Sequence, residues 1–372
     1  MEREIMKDLL SWKASKNRKP LILEGVRQCG KTTILKEFGN TYYDDLAYFA
    51  FDRKNELIDV FNENLDPNKI IDKLSIIRNK KIQKEKTLIV FDEIQECPNA
   101  ITALKYFNEE ANDYHIVSCG SLLGLLLARN FSFPVGKVDI LKMYPLSFKE
   151  FLKANNEDMI LEYIDNFDIN EKMYDVVYKK AYEYYKEYLV VGGMPEVVKA
   201  WITNRDINEV ELIQDNLISG YELDFAKHAS LQDVPKIINV WDNISTQLAK
   251  ENKKFVLANI ENGARLSKYE SAISWLVNAG LISKIERVEH PAMPLVSNKI
   301  ESHFKIYMSD VGILRRKANI PASAFLVEEQ DTIMQSKSYG NFKGGMIENF
   351  VYNELKRIYK DNIYYWRSNN NG

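Results

Sequence analysis

A glycine-rich segment near the N-terminus carries residue types that bind phosphate. Residues 25–32 follow the spacing G-x-x-x-x-G-K-T of a phosphate-binding loop. An apolar run precedes it and helix-compatible residues follow, so we expect the loop to join a strand to a helix. The free N–H groups at the start of that helix would attract an anion. The predicted nucleotide-binding residues are Gly25, Val26, Arg27, Gln28, Cys29, Gly30, Lys31, Thr32 and Thr33.

Two carboxylates, Asp92 and Glu93, follow a run of apolar residues typical of a central parallel strand. Ligands bind at this carboxyl end of the strands in open α/β sheets. We predict that Lys31 contacts the β- and γ-phosphates, that Thr32 and Asp92 hold Mg²⁺, and that Glu93 activates water. Capping of the helix near Pro98 is the alternative for either carboxylate. The catalytic interpretation is favoured because a phosphate-binding loop lies upstream.

Composition limits the classes of protein that the chain can belong to. The chain has 372 residues, 45% of them hydrophobic and 28% charged, which is typical of a globular protein of two or three domains. The net charge is −3, so any nucleic-acid contact must come from a local patch. Three cysteines, Cys29, Cys97 and Cys119, indicate a reducing compartment and neither a disulfide framework nor a zinc motif. With no signal core or long apolar run, we expect a cytoplasmic protein without a membrane partner.

The order of elements predicts the fold class. Strand and helix patterns alternate to about residue 150, which indicates a three-layer α/β domain with a parallel sheet. Ser147 and Glu150 then form the pattern of a capping box at the start of a helix. Helical patterns dominate the rest of the chain. Near its end we expect a helix starting at Met346 and a strand over residues 362–366.

A tyrosine-rich stretch covers residues 170–189. Aromatic residues recur there at helical spacing, and we interpret them as packing residues rather than as a stacking platform for nucleic-acid bases.

Residues 255–290 have the order of a winged helix-turn-helix: a helix that opens near Leu266, a glycine at 280, then an alternating strand. Two interpretations are open. In the first, the module binds DNA. In the second, it packs against protein, because its basic content is thin and Glu270 lies among the exposed residues. The candidate DNA contacts are Arg265, Lys268, Ser271 and Ser274.

With these motifs, the chain resembles the bacterial and archaeal AAA-type P-loop ATPases that carry a C-terminal domain of unknown function with nuclease-like features. The resemblance extends over nearly the whole chain. The matching segments are residues 25–32, 88–93, 119–123, 133–138, 144–151, 192–197, 224–228, 305–307, 310–312, 345–351 and 364–366.

The resemblance implies four domains. They are an AAA-type ATPase core at residues 1–155, a helical lid at 156–229, a winged helix at 230–310 and part of a restriction-nuclease-like domain at 311–372. The family continues with an acidic strand that would follow residue 372, so nuclease activity is not expected. Glu348 matches the first nuclease-like carboxylate, but a carboxylate favoured at a helix start explains it equally well.

The resemblance also implies further site residues. A polar sensor of the γ-phosphate is expected after the strand at residues 115–119, with Ser121 as candidate and Ser118 as second choice. Ser121 as the N-cap of the next helix is the competing interpretation. Many relatives have arginine where this chain has Lys137. A basic residue acting across a subunit boundary would therefore be Lys137 or Arg129.

The sequence thus predicts a Mg²⁺-dependent ATPase with ATP and Mg²⁺ as cofactors, whose nucleotide state moves the C-terminal modules. The preference for adenine comes from the resemblance alone. The alternative is a nucleotide-gated switch that binds protein or DNA with little turnover. DNA through the winged helix, a protein partner and a second copy of the chain are the candidate partners.

Overall fold

The computed structural model describes residues 1–53, 55–121, 123–128, 134, 136–250, 253–326 and 337–367. The chain divides into two compact units. We call residues 2–144 the N-terminal unit, and residues 145–372 together with Met1 the C-terminal unit. The domain boundaries expected from the resemblance stay predictions.

The N-terminal unit alternates strands and helices, as the pattern of its sequence predicts. Its elements are α1 (Ile5–Ala14), β1 (Leu21–Gly25), α2 (Lys31–Tyr42), β2 (Asp45–Ala50), α3 (Asn55–Glu63), α4 (Pro67–Ile77), β3 (Thr87–Asp92), α5 (Pro98–Glu110), β4 (His115–Cys119), α6 (Leu123–Ala128) and β5 (Asp139–Met143).

The five strands form one parallel sheet in the order β2-β3-β4-β1-β5. Strand β3 lies between β2 and β4, and all six of its residues are buried. A strand covered on both faces can be apolar at every position, which explains the continuous apolar run before Asp92. From β1 the chain passes to β2 at one edge of the sheet and returns towards β1 through β3 and β4. Strand β5 then pairs with the other side of β1. The carboxyl ends of β1 and β3 therefore lie at the edge of the sheet where α/β proteins bind ligands.

Helices cover both faces of this sheet. On one face, Phe49 and Phe91 pack in a cluster with apolar residues of α3, α4 and α5. On the other face, Leu46 and Leu88 lie against Gly39 of α2. Alternate residues of a strand point to opposite faces, so Tyr48 and Asp92 share the face that α2 covers. The predicted three-layer α/β fold is confirmed.

Over its described residues, the C-terminal unit is mainly helical and contains one antiparallel pair of strands. Its elements are α7 (Phe148–Ala154), α8 (Asp158–Asp165), α9 (Asp175–Val191), α10 (Pro195–Asn204), α11 (Ile207–His228), α12 (Val234–Leu248), α13 (Leu266–Asn278), β6 (Ile282–Val288), β7 (Lys299–Met308), α14 (Val311–Lys317), α15 (Ser323–Leu326) and α16 (Lys337–Tyr359). The capping box is present: Ser147 Oγ accepts from Glu150 N, and Glu150 accepts from Ser147 N.

Helix α13 and the antiparallel pair β6–β7 follow one another in the predicted order of helix, glycine and strand. Tyr269, Ile273 and Leu276 form the buried side of α13, and helix α12 packs against it. Gly280 has a φ of 74° directly after the helix, as a residue that ends a helix requires.

Two expectations near the C-terminus are wrong. Helix α16 begins at Lys337, nine residues before the expected start at Met346. Residues 362–366 do not form a strand: Tyr365 alone makes a bridge, to Arg287 of β6. Aromatic residues favour strands, but a strand also needs a partner edge over several residues, and here only one residue pairs.

The tyrosines of α9 are buried at one end of the helix and exposed at the other. Tyr188 is buried and contacts Phe148, Phe151 and Phe350, so packing explains this end of the helix. Tyr178 and Tyr182, at the other end, are exposed. The packing interpretation is therefore wrong for the first half of the helix.

Of the helices in the described parts of the chain, none has the length and apolar content needed to cross a membrane.

Candidate nucleotide-binding site

The glycine-rich loop connects β1 to α2, as predicted. A Cβ on Gly25 would lie 2.3 Å from the carbonyl oxygen of Met143 in the neighbouring strand β5, so only glycine fits there. Gly30 has a φ of 98°, a conformation that favours glycine, and stands directly before the first residue of α2. The loop thus delivers the N–H groups of the first turn of α2 to the edge of the sheet, where they can bind an anion.

Lys31 is the first residue of α2 and is only 7% exposed. Its Nζ donates to the carbonyl oxygens of Gly25, at 2.7 Å, and of Val26, at 3.0 Å. The ammonium group therefore lies inside the curve of the loop. Both of these partners are neutral, so a phosphate held in the loop would supply a negative charge beside the ammonium.

Thr32 joins the loop to the end of β3. Its Oγ1 donates to Asp92 Oδ2 at 2.9 Å, and Asp92 is 6% exposed. A hydroxyl and a carboxylate oxygen are ligands that Mg²⁺ prefers, and Mg²⁺ completes its shell with water and phosphate oxygens. The pair therefore fits the magnesium site that the sequence predicts.

Asp92 also accepts hydrogen bonds from residues that the sequence analysis missed. Tyr48 OH, on β2, donates to Oδ2 at 2.5 Å, and Cys119 Sγ, on β4, donates to Oδ1 at 3.0 Å. Burial and the neighbouring carboxylate raise the pKa of both groups, so both stay protonated donors at neutral pH. Both residues lie on the strands next to β3, and only the strand order brings them to Asp92.

Glu93 follows Asp92 with a φ of 51°, a conformation that non-glycine residues rarely adopt. Its Oε2 accepts from the backbone N of Ser121, at 3.3 Å, and from Ser121 Oγ, at 3.2 Å. Gln95 Nε2 donates to the same oxygen. The carboxylate is therefore held in one position by two neighbouring loops. Gln95 is a further residue that the sequence analysis missed.

The alternative roles of these residues can be compared with the structure. The N-cap of α5 is Cys97, so neither Asp92 nor Glu93 caps that helix. Ser121 contacts Glu93, whereas Ser118 is buried and its Oγ has no partner among the described atoms. The contact keeps Ser121 as the stronger candidate for the sensor, which stays a prediction.

The remaining residues of the loop and the two basic candidates have different surroundings. Val26 and Cys29 are buried, whereas Arg27, Gln28 and Thr33 are exposed at the surface. Lys137 Nζ pairs with Glu109 Oε1 at 2.9 Å, within the same unit. Arg129 lies outside the described residues.

The candidate DNA contacts on α13 include residues that pair with their own unit. Lys268 Nζ donates to both carboxylate oxygens of Glu261, at 2.7 and 2.6 Å, and Ser271 Oγ donates to Asp233 at 2.9 Å. Arg265 and Ser274 are exposed.

Glu348 is not a helix-start carboxylate, and that expectation is wrong. It lies eleven residues into α16 and pairs with Lys305, with Tyr307 OH and, at 3.1 Å, with Lys253. Burial alone would raise the pKa of this carboxyl group, but the two lysines and the tyrosine hold it below its usual value. Two nearby cations explain the carboxylate without any metal.

Comparisons with known proteins agree with this geometry. Residues 17–152 match the family described as AAA domain, and residues 182–324 match a domain of unknown function, DUF8612. An uncharacterized protein of Haemophilus influenzae is 30% identical over 187 residues, which are 48% of this chain and 40% of that protein. The chain thus matches about two fifths of the length of this relative.

Two solved structures are similar at lower identity. A Walker-type ATPase of Pyrococcus abyssi superposes with a TM-score of 0.52 at 15% identity, over 85% of this chain and 95% of that one. An Orc1 protein of Aeropyrum pernix in complex with DNA has a TM-score of 0.32 at 12% identity, over 87% and 93%. The first similarity supports the fold, and the second is too weak to bear on fold or DNA binding.

Proposed function

Because its residues 17–152 belong to the AAA domain family of P-loop ATPases, we propose that this protein binds ATP with Mg²⁺ and hydrolyses it. The observation that carries the proposal is the contact of 2.9 Å between Thr32 and Asp92, beside the loop that holds Lys31. Two motifs sixty residues apart in sequence thereby form one site.

Each residue has one role in this proposal. The N–H groups at the start of α2 and the Lys31 ammonium hold the phosphates. Thr32 and Asp92 hold Mg²⁺, which neutralises charge on the phosphate oxygens when bound. Glu93 accepts a hydrogen bond from the attacking water and orients it in line with the leaving group. Tyr48 is a positioning residue, because it acts through Asp92.

Hydrolysis by the full chain tests the proposal. We expect Lys31→Ala and Glu93→Gln each to lower turnover by about 100-fold or more, the usual effect of losing an electrostatic catalytic group. Glu93→Gln should still bind ATP, because it leaves the phosphate loop intact. Lys7→Ala, an exposed lysine of α1, is the matched control and should keep full activity. Unchanged rates in both site variants would mean that the site is elsewhere.

The proposed output is movement of the C-terminal modules: the helical lid at 156–229, the winged helix at 230–310 and the partial nuclease-like domain at 311–372. Support for the winged helix comes from the order of α12, α13, β6 and β7.

We also infer a cytoplasmic location from three buried free cysteines. Subunit contact through Lys137 or Arg129 is a further part of the proposal, with ATPase activity of Lys137→Ala as its test.

DNA is a proposed partner of the winged helix. Stimulation of hydrolysis by duplex DNA, with a steep dependence on salt, would support phosphate contacts. Equal rates with and without DNA across that salt range would favour a protein partner instead.

A nucleotide-gated switch with little turnover is the second candidate. The observation that favours it is the position of Glu93, which three donors from Ser121 and Gln95 hold. All three donors bind Oε2, and in this candidate function their release precedes the orientation of water by the carboxylate. Tight ATP binding with slow turnover, and faster turnover in Gln95→Ala, would support the switch.

A further inference from the structure

An apolar surface with an acidic rim lies between α8 and the first half of α9. We call it the α8–α9 groove and define it as residues 157–182. The cavity has a volume of about 520 Å³ and is lined by apolar side chains, including Met159, Ile160 and Val176. Met159 is 77% exposed and Val176 is 74% exposed, so two large apolar side chains of one groove face solvent.

The walls of this groove are ordered by contacts of their own. Tyr163 OH accepts from the backbone N of Tyr174, and the two rings lie 5.2 Å apart. Glu157, at one end, accepts from Lys180 at 2.5 Å and from Tyr184 at 2.7 Å. The exposed apolar residues therefore belong to a fixed surface between two helices. Two large apolar side chains exposed in one fixed groove make it a candidate interaction site.

The charge of the segment indicates what could bind there. The groove residues 157–182 contain three lysines and seven carboxylates, and the carboxylates are Glu157, Asp158, Glu162, Asp165, Asp168, Glu171 and Asp175. Glu157, Asp165 and Asp175 pair with lysines. In the part of the chain that the structure describes, Asp158 and Glu162 form no ion pair. The seven carboxylates and three lysines give the groove a net charge of −4, so a basic partner would be attracted and an acidic one repelled.

We propose that the α8–α9 groove binds a basic amphipathic helix of a partner protein. The apolar face of such a helix would cover Met159 and Val176, and its lysines or arginines would lie beside Asp158 and Glu162. Helix α8, with eight residues, and the matching half of α9 give a groove about 12 Å long, room for about two helical turns. Apolar anchors at i, i+3 or i+4, and i+7 would fit this length.

Fluorescence anisotropy with two synthetic peptides tests the proposal. The probe is a labelled helical peptide of leucine and lysine at helical spacing, about fourteen residues or four turns long. Its control replaces every lysine with glutamate. We expect the full chain to bind the basic peptide and not the acidic one. Val176→Ser and Glu162→Lys should each weaken binding by about 10-fold. Asp59→Lys, which makes the same charge change on the exposed side of α3, should change it by less than about 2-fold.

Three results would overturn the proposal. The first is no binding of the basic peptide, and the second is equal weakening by Glu162→Lys and Asp59→Lys, which would indicate an unspecific charge effect. The third is a dimer of the wild type in light scattering that Val176→Ser dissociates, because a second copy would then cover the groove. Circular dichroism and ATP binding of each variant confirm that it is folded.

Discussion

The glycine-rich loop and the surroundings of Glu348 both contain lysines and carboxylates that are buried or half-buried, but they arrange them differently. At the loop, Lys31 contacts neutral carbonyls, while Thr32 and Tyr48 donate to Asp92. Around Glu348, two lysines neutralise the carboxylate directly. At the loop, Lys31 and Asp92 contact different partners and not each other, so both remain able to contact a ligand. At Glu348 the charges satisfy one another. Residue types alone therefore do not distinguish a reactive site from a structural ion pair.

Removing one carboxylate from each region should give opposite results. We expect Asp92→Asn to lower ATP hydrolysis by about 100-fold or more, because a bound metal would lose its charged ligand. Glu348→Gln should leave the rate per folded molecule unchanged. Steady-state hydrolysis at saturating Mg²⁺ measures both. Equal loss of activity in the two variants would contradict the separation of the regions.

The same Glu348→Gln variant should lower stability. Lys253 and Lys305 would lose their charged partner while remaining largely buried, at a cost of about 1–2 kcal/mol in the free energy of unfolding. Thermal unfolding with ATP absent measures the effect. Glu289→Gln, an exposed carboxylate after β6, is the matched control and should leave the melting temperature unchanged.

Tyr48→Phe tests what the hydrogen bond from Tyr48 to Asp92 contributes to metal binding. It removes the donor to Asp92 and keeps the ring, so we expect the apparent affinity for Mg²⁺ to fall by about 3- to 10-fold, which corresponds to the typical net contribution of one hydrogen bond, about 1 kcal/mol. ATP binding measured in EDTA should not change. A fall in ATP affinity without metal would instead indicate a disturbed fold.

The smallest predicted effect is on the pH dependence of the free energy of unfolding. The folded pKa of Glu348 lies below its unfolded value of 4.5, so the folded state binds fewer protons and this stabilisation is lost as pH falls below that value. The difference in unfolding free energy between wild type and Glu348→Gln should therefore shrink between about pH 5 and pH 3. Denaturant titrations at several pH values measure it. A constant difference over this range would show that the lysines do not stabilise the ionised carboxylate.

Local patterns predicted much of the N-terminal unit. A parallel strand buried on both faces needs apolar residues throughout, and a phosphate loop needs glycines and a lysine at fixed spacing, so Lys31, Thr32 and Asp92 could be found from the sequence. Tyr48, Gln95 and Cys119 could not, because their contacts depend on strand order and on loop positions. Nothing in a single strand indicates which neighbour will reach its carboxylate.

In the C-terminal unit, tertiary contacts outweighed local preference. Residues 337–345 contain three glycines, which disfavour a helix, yet α16 includes them because the helix packs against α12 and α14. Tyrosines at helical spacing predicted a buried face on α9. Among the described residues, Tyr188 packs against Phe151 and Phe350, whereas Tyr178 and Tyr182 stack on each other and stay exposed. The spacing of the tyrosines does not reveal where the packed part of the helix begins.

A structure with a non-hydrolysable ATP analogue and Mn²⁺ in place of Mg²⁺ tests the central claim most directly. Anomalous scattering locates the metal independently of the protein atoms. We predict a single peak in contact with Thr32 Oγ1, on the side of Asp92, and the β- and γ-phosphates beside Lys31 Nζ. A metal peak away from Thr32 and Asp92, or an analogue bound outside residues 25–33, would contradict the claim.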